Sequence, residues 1–217
     1  MRRIPREVKQ NEVVTWSKEI RERQKLLSID DNQKQVLIGT ILGDGCLTPN
    51  SYGKNVRLQI DHCANQKEYV FWKSEVFKDW RISEPSYNAS TDSWRFKTLS
   101  HPKLAEYREL FYLDRKKIIP TNVGELLTSP LSLAVWFMDD GAIARRQKGY
   151  ILNTQNFTRS EIEGLVSCLE SNFGLNNLSL HRDRTYWRIY VRKDSTSHFR
   201  DLIFPYIIPS MMYKVLF

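Results

Sequence analysis

The chain has 217 residues, 41% of them apolar, enough to bury a core in one domain or two small ones. Its three cysteines, Cys46, Cys63 and Cys168, are odd in number and form no CxxC pair, which argues for a reducing compartment and against a disulfide framework or a zinc site. No apolar run reaches the roughly 18 residues of a membrane span, and 33 Lys and Arg against 25 Asp and Glu give 33 − 25 = +8, an excess that suits nucleic acid before membrane.

In chain order, residues 1–30 come first. The spacing of Trp16, Ile20 and Leu27 predicts a helix packed on the first half of the chain, leaving Arg2, Arg3 and Arg6 for phosphate contacts. An organelle-targeting reading of this segment is weakened by Glu7, and it has no apolar stretch to act as a secretory signal. LIGTILGDG (37–45) is an apolar helix ending in Asp44 and Gly45. Strands are expected within 46–61 and 86–98, with a helix opening at Asn65 between them and Glu68 as partner in a weak cap. In VRLQID, Val56, Leu58 and Ile60 alternate with Arg57, Gln59 and Asp61; in SWRFK, Trp94 and Phe96 alternate with Arg95 and Lys97. KKIIP closes this half at Pro120.

The series then repeats. LAVWFMDDG (133–141) is a second apolar helix ending in acid, followed by strands within 142–155, a helix, strands within 178–192, and PYIIP ending at Pro209. Thr158 with Glu161 forms a capping box, Phe157 and Ile162 a hydrophobic staple, and Gly174 a helix stop. Trp187, Ile189 and Val191 alternate with Arg188, Tyr190 and Arg192. The two aspartates are 140 − 44 = 96 residues apart, the helix openings 158 − 65 = 93 and the Trp-Arg strands 187 − 94 = 93. The fold expected is α+β, two tandem αββαββα repeats (31–125 and 126–217) about a pseudo-two-fold axis, with two antiparallel four-stranded sheets forming a DNA-binding saddle.

Helix C-termini carry partial negative charge, so carboxylates there are misplaced by roughly 0.3 to 1 kcal/mol. Two brought together repel further. The pattern makes sense if the helices pack side by side, aided by Gly39 and Gly43, and Asp44 and Asp140 meet around a divalent cation, magnesium or manganese. Gly45 and Gly141 then turn the chain sharply into the first strand of each half. His62, His101 and His198 form no metal constellation and read as surface or structural.

At these residues the sequence resembles the LAGLIDADG homing endonucleases, in their single-chain, pseudo-symmetric branch, over about residues 30–214. SLAVWFMDDG, ILNTQNFT and IIPSMMYK bring it nearest to a yeast mitochondrial intron enzyme. The resemblance implies a monomer that makes a double-strand break in duplex DNA. Asp44 and Asp140 are its metal ligands, the backbone carbonyls of Gly43 and Asp139 are additional ones, and Lys117 and Lys214 stand near the scissile phosphates. Mg2+ is the implied cofactor, with Mn2+ as substitute and Ca2+ supporting binding without cleavage. The ions would activate water, stabilise the leaving 3′ oxygen and clamp the phosphate. Val135 and Asp139 stand where the family has small residues, which bears on how closely the helices pack.

The outward strand positions are the expected DNA contacts, on a site of roughly 20 base pairs. In the first half these are Tyr52, Lys54, Asn55, Arg57, Gln59, Asp61, Arg95 and Lys97. In the second they are Arg145, Arg146, Lys148, Tyr150, Asn153, Gln155, His181, Arg182, Arg184, Arg188, Tyr190 and Arg192. An RNA-binding maturase and a cleavage-dead DNA binder are the rivals, and both predict lost ligands where Asp44 and Asp140 are present. The expected setting is intracellular: an organelle, mitochondrion or chloroplast, if the protein is intron-encoded, with bacterial cytoplasm as the alternative.

Overall fold

A computed structural model describes residues 18–50, 55–81, 83–144 and 148–216. Arg2, Arg3, Arg6, Trp16, Tyr52, Lys54, Arg145 and Arg146 lie outside them. After α1 (Lys18–Leu26), the first half runs α2 (Asp31–Leu42), β1 (Cys46–Pro49), β2 (Val56–Cys63), α3 (Lys67–Val76), β3 (Ser86–Asn88), β4 (Ser93–Lys97) and α4 (Pro102–Phe111). A two-stranded hairpin, β5 (Tyr112–Leu113) with β6 (Lys116–Lys117), and α5 (Val123–Leu126) lead on to the second half. That half runs α6 (Pro130–Asp140), β7 (Gly141–Ala144), β8 (Gly149–Asn153), α7 (Arg159–Phe173), β9 (Leu178–Asp183), β10 (Tyr186–Val191) and α8 (Lys193–Ile203), then 3-10 turns to Lys214. The two antiparallel sheets have strand orders β1-β2-β4-β3 and β7-β8-β10-β9, the same topology twice. Among the described residues no helix is long and apolar enough to cross a membrane.

Local chemistry fixes the ends of the helices. Asp30 and Gln33 form a capping box on α2, and Thr158 and Glu161 form the expected one on α7, which stops at Gly174 with φ +65°. Phe157 and Ile162 are both buried, as a staple requires. The expected Asn65–Glu68 cap does not form: a 3-10 turn, Ala64–Gln66, leads into α3, whose N-cap Gln66 makes no side-chain bond. Helix α1 buries no residue and is tied to the first half by polar contacts, Arg23 donating to the carbonyls of Lys78 and Asp79 and Gln24 to that of Ser100.

Helices α2 and α6 pack against each other at the centre of one continuous core, and every residue from Val36 to Leu42 and from Ser132 to Asp139 is buried. The bulky residues of α6 are met by glycines on α2. A Cβ on Gly39 would lie 2.7 Å from Val135 Cβ, and one on Gly43 would lie 2.4 Å from Asp139 Cβ. The helices therefore stay close although α6 carries larger residues than expected. Gly45 and Gly141 act by the same steric logic rather than through a left-handed turn. Gly141 is extended (φ −79°, ψ 152°), and added Cβ atoms would strike Thr40 and Phe137 at 2.2 Å.

In the first sheet the predicted parity holds, with Val56, Leu58, Ile60 and Phe96 buried and Arg57, Gln59, Asp61, Arg95 and Lys97 on the other face. In the second, two expected contacts are misplaced. Cys46 pairs with Gln59 and Ala142 with Ile151, so strand positions correspond at 151 − 59 = 92. Tyr150 thereby matches Leu58 (150 − 58 = 92); it is fully buried, with its hydroxyl donating to the Val215 carbonyl at 2.8 Å. Arg182 pairs with Trp187, whose ring carries the Arg159 guanidinium of α7 at 4.9 Å, so Arg182 lies on the helix side of the sheet although it is exposed.

Candidate metal and DNA-cleavage site

The two acidic helix ends meet. Asp44 and Asp140 line one small polar cavity together with Lys117, Asn153 and Gln155. Burial, then Asp44 and Asp139, push the Asp140 carboxyl up to about 7. Burial and then Asp139 raise Asp44, whose side chain keeps 48% of its surface exposed.

Each helix end carries a lysine from the tail of its own half. Lys117 Nζ donates to the carbonyls of Gly43 (2.7 Å) and Gly45 (3.0 Å), and Lys214 Nζ to those of Met138 (2.6 Å) and Asp139 (2.8 Å). They satisfy orphan carbonyls and offset the negative helix pole that makes a carboxylate unwelcome there. Neither lysine is a freely solvated surface residue; burial lowers both ammonium pKa values against the pull of the surrounding carboxylates. The hairpin β5–β6 is the element that delivers Lys117.

One charge cluster was not foreseen. The Asp139 side chain crosses to the end of α2, where Oδ2 accepts the Asp44 backbone N–H at 3.1 Å. Lys73, fully buried on α3, donates to Asp139 Oδ1 (2.7 Å) and Oδ2 (3.0 Å). His62 is 5% exposed, not a surface residue, and joins Asp44 and Asp139 with ligand-type atoms within 4.8 Å of one another. A metal set is not formed by these three, because the Lys73 ammonium fills the cation place, 3.4 Å from His62 Nε2. Burial would raise the Asp139 carboxyl, but Lys73 and His62 outweigh it and hold it below the ordinary range. Burial and then Lys73 depress the His62 imidazole to about 4. Both residues had a sequence signal: His62 continues the inward series Val56, Leu58, Ile60, and Lys73 lies on the stripe of Tyr69, Val70 and Phe77.

Among the described residues, the donors this cavity offers a divalent ion are the Asp44 and Asp140 carboxylates and the Gly43 carbonyl; the Asp139 carbonyl, the other expected donor, does not line it. This all-oxygen set fits a hard cation such as magnesium. Asn153, the last residue of β8 and paired with Arg188, and Gln155 also line this cavity: Asn153 Nδ2 donates to the Asp140 carbonyl at 2.7 Å, and Gln155 follows at 3.4 Å from Asn153 Oδ1.

Beyond the cavity the sheets present their polar faces. Burial, then Arg57 and Arg95, lower the Lys97 ammonium, which marks a crowded cationic surface. Arg57 and Arg188 each keep a buried Nε without a partner. Arg188 also pairs with Asp183, and His181 stacks on Tyr190 at 4.0 Å. Asn55 lies in the β1–β2 connection, bonded to Asn50, while Lys148 and Arg184 occupy left-handed turn positions and Arg192 caps α8. Ser86, Asn88 and Ser179 share the polar faces, and parity in the short strands β3 and β9 was the available signal.

The sequence profile of the LAGLIDADG DNA endonuclease family matches residues 34–199. The structure is similar to that of "The homing endonuclease I-WcaI bound to its DNA recognition sequence", at 32% identity, with a TM-score of 0.84 and 93% of each chain covered. The probable intron-encoded endonuclease 1 of Wickerhamomyces canadensis is 32% identical over 197 residues, 85% of this chain and 84% of that one. The RecA protein of Mycolicibacterium flavescens is 32% identical over 203 residues, and there the chain spans about half of the relative, 47% of its length. Two motif helices that end in aspartates at one cavity, and a profile that spans both, place this chain in the LAGLIDADG DNA endonuclease family.

Proposed function

We propose that the protein is a monomeric homing endonuclease that breaks both strands of a long asymmetric DNA site by divalent-metal-dependent phosphodiester hydrolysis. The observation that carries this reading is the shared cavity of Asp44 and Asp140 between two sheets with polar, arginine-bearing faces. Asp44 and Asp140 hold the metal, with the carbonyl of Gly43 in support. A divalent ion held there, Mg2+ or Mn2+, would supply water activation and charge neutralisation at the phosphate. Lys117 and Lys214 keep ammonium groups at the two helix ends, able to turn from main-chain carbonyls to phosphoryl oxygens as charge develops. Arg57, Gln59, Asp61, Arg95 and Lys97 of one sheet and Arg188, Tyr190 and His181 of the other supply contacts to about 20 base pairs.

Within the family, the strings SLAVWFMDDG, ILNTQNFT and IIPSMMYK favour a place near I-SceI, with intron-encoded, organellar origin. The halves divide near residue 125, after α4 and the hairpin, with 1–30 as an extension. Retention of both aspartates favours cutting over a purely RNA-binding role. The test is incubation with a library of randomised duplexes in magnesium and then in calcium. Double-strand breaks at a defined sequence in magnesium, binding without cleavage in calcium, and loss of cutting in Asp44→Asn are expected. Absence of breaks in magnesium, or full cutting by Asp44→Asn, overturns the reading.

A further inference from the structure

The two halves match in topology but not beneath their aspartates. The equivalent of Asp139 in the first motif is Gly43 (139 − 96 = 43). The N-caps of α3 and α7, Gln66 and Thr158, correspond at 158 − 66 = 92, which makes Leu165 the equivalent of Lys73 (73 + 92 = 165). The strand register makes Thr154 the equivalent of His62 (62 + 92 = 154). Three polar or charged groups thus support Asp44, where its partner half has a glycine, a leucine and a threonine whose hydroxyl is engaged by the Trp187 carbonyl at 2.8 Å.

The supporting groups form a chain with one internally consistent set of donors. Lys73 can only donate, so His62 Nε2, 3.4 Å from its ammonium, is an acceptor and the ring proton is on Nδ1. Nδ1 stands 3.6 Å from Asp44 Oδ2, within reach after a small shift or through one water. Asp139, neutralised by Lys73, holds the Asp44 amide from the other side at 3.1 Å. Main chain and carboxylate of Asp44 are therefore both addressed by the cluster, while among the described residues Asp140 is anchored through its carbonyl, by Asn153. Charged groups are expensive to bury, and a lysine on a core stripe without a site to serve would be better replaced by leucine, as at Leu165.

We infer that Lys73, Asp139 and His62 are positioning residues that fix Asp44 for chemistry at one of the two scissile phosphates, making the two strand cleavages unequal. This rests on the endonuclease reading above. A carboxylate held before substrate arrives needs no reordering in the transition state, and a misplacement of about 1 Å costs about a hundredfold in rate.

The test uses the full chain and a duplex that the wild type selects and cuts from the randomised library. Asp139→Ala with Lys73→Leu copies the chemistry of the other half and leaves no buried charge. Expected are a rate loss of about tenfold or more on one labelled strand with about threefold or less on the other, and exchange of the Asp44 amide proton faster by about tenfold in metal-free protein. Asp139→Asn with Lys73→Met, which keeps an oxygen for the Asp44 amide, restores most of both. Equal slowing of the two strands, or unchanged Asp44 exchange, overturns the inference. If the wild type cuts no duplex, the endonuclease reading fails separately, and the exchange measurement alone decides whether the cluster holds Asp44.

Discussion

Replacing Asp140 by Asn should destroy cleavage and yet stabilise the metal-free protein. The folded carboxyl titrates at about 7 and the unfolded one at 3.8, so the folded state holds a proton that the unfolded chain has released. A raised folded pKa means stability that is full below 3.8 and is lost as pH rises through about 7. Moving a carboxyl from 3.8 to about 7 corresponds to roughly 4 kcal/mol, which partial solvent access reduces to about 2–4 kcal/mol at pH 8. Asparagine cannot ionise and escapes the penalty, so its melting temperature should rise by about 5–10 °C. At pH 5 only about a third of the penalty has developed, and the gain should shrink accordingly. The assay is thermal or urea denaturation of wild type and variant in EDTA at both pH values. Added Mg2+ should narrow the gap at pH 8 by stabilising the wild type through binding. A variant no more stable than wild type at pH 8, or equally favoured at both pH values, would refute the electrostatic account of the paired aspartates.

Lys73→Met alone strands the Asp139 carboxylate in the core and should cost about 3–5 kcal/mol, visible in the urea midpoint, with Asp139→Ala in the same chain recovering much of it. His62 is held neutral by burial and titrates at about 4 against 6.5 when unfolded; its depressed pKa contributes stability above 6.5 that is lost as pH falls through about 4. In an Asp140→Asn background, which removes the opposing titration, His62→Gln should flatten that acid limb by up to about 3 kcal/mol; an unchanged pH slope counts against a buried neutral His62. Glycine to alanine should act with opposite signs at two helix positions. At Gly164, where an added Cβ meets nothing within 4 Å, it should stabilise by about 1 kcal/mol. At Gly39, where it would lie 2.4 Å from the Ser132 carbonyl oxygen, it should destabilise by about 1–3 kcal/mol by forcing α2 and α6 apart.

The duplication, both motif helices, the segments that hold the strands and the acidic pair were readable because each rests on a local string with a physical period or cap. The Thr158 capping box and the parity of β2 are of that kind. Tyr150 was misread because Ile151 and Leu152 are both apolar, so alternation alone leaves open which of them faces in; only pairing with β7 and β10 settles it. Arg182 was misread for the opposite reason: a long cation at the end of a strand stays exposed on either face. The Asn65 cap failed because three residues of 3-10 turn intervene before α3, a tertiary detail that no short motif encodes.

Lys73 shows most clearly how a site can be passed over in a sequence. Charge on an apolar stripe reads as noise when the stripe is judged by its majority, and burial of a lysine is unfavourable enough to be discounted. The partner that makes it tolerable, Asp139, lies 66 residues away on another helix, and the glycine that admits Asp139, Gly43, lies on a third element. Each residue alone breaks a rule: a charge in a core, an acid at the negative end of a helix, a glycine within an apolar run. Together they satisfy one another, and among the described residues the Asp140 side has no equivalent set. Departures from local rules that cancel in space, and that lack a counterpart in the other repeat, mark where the two halves of a duplicated chain have diverged.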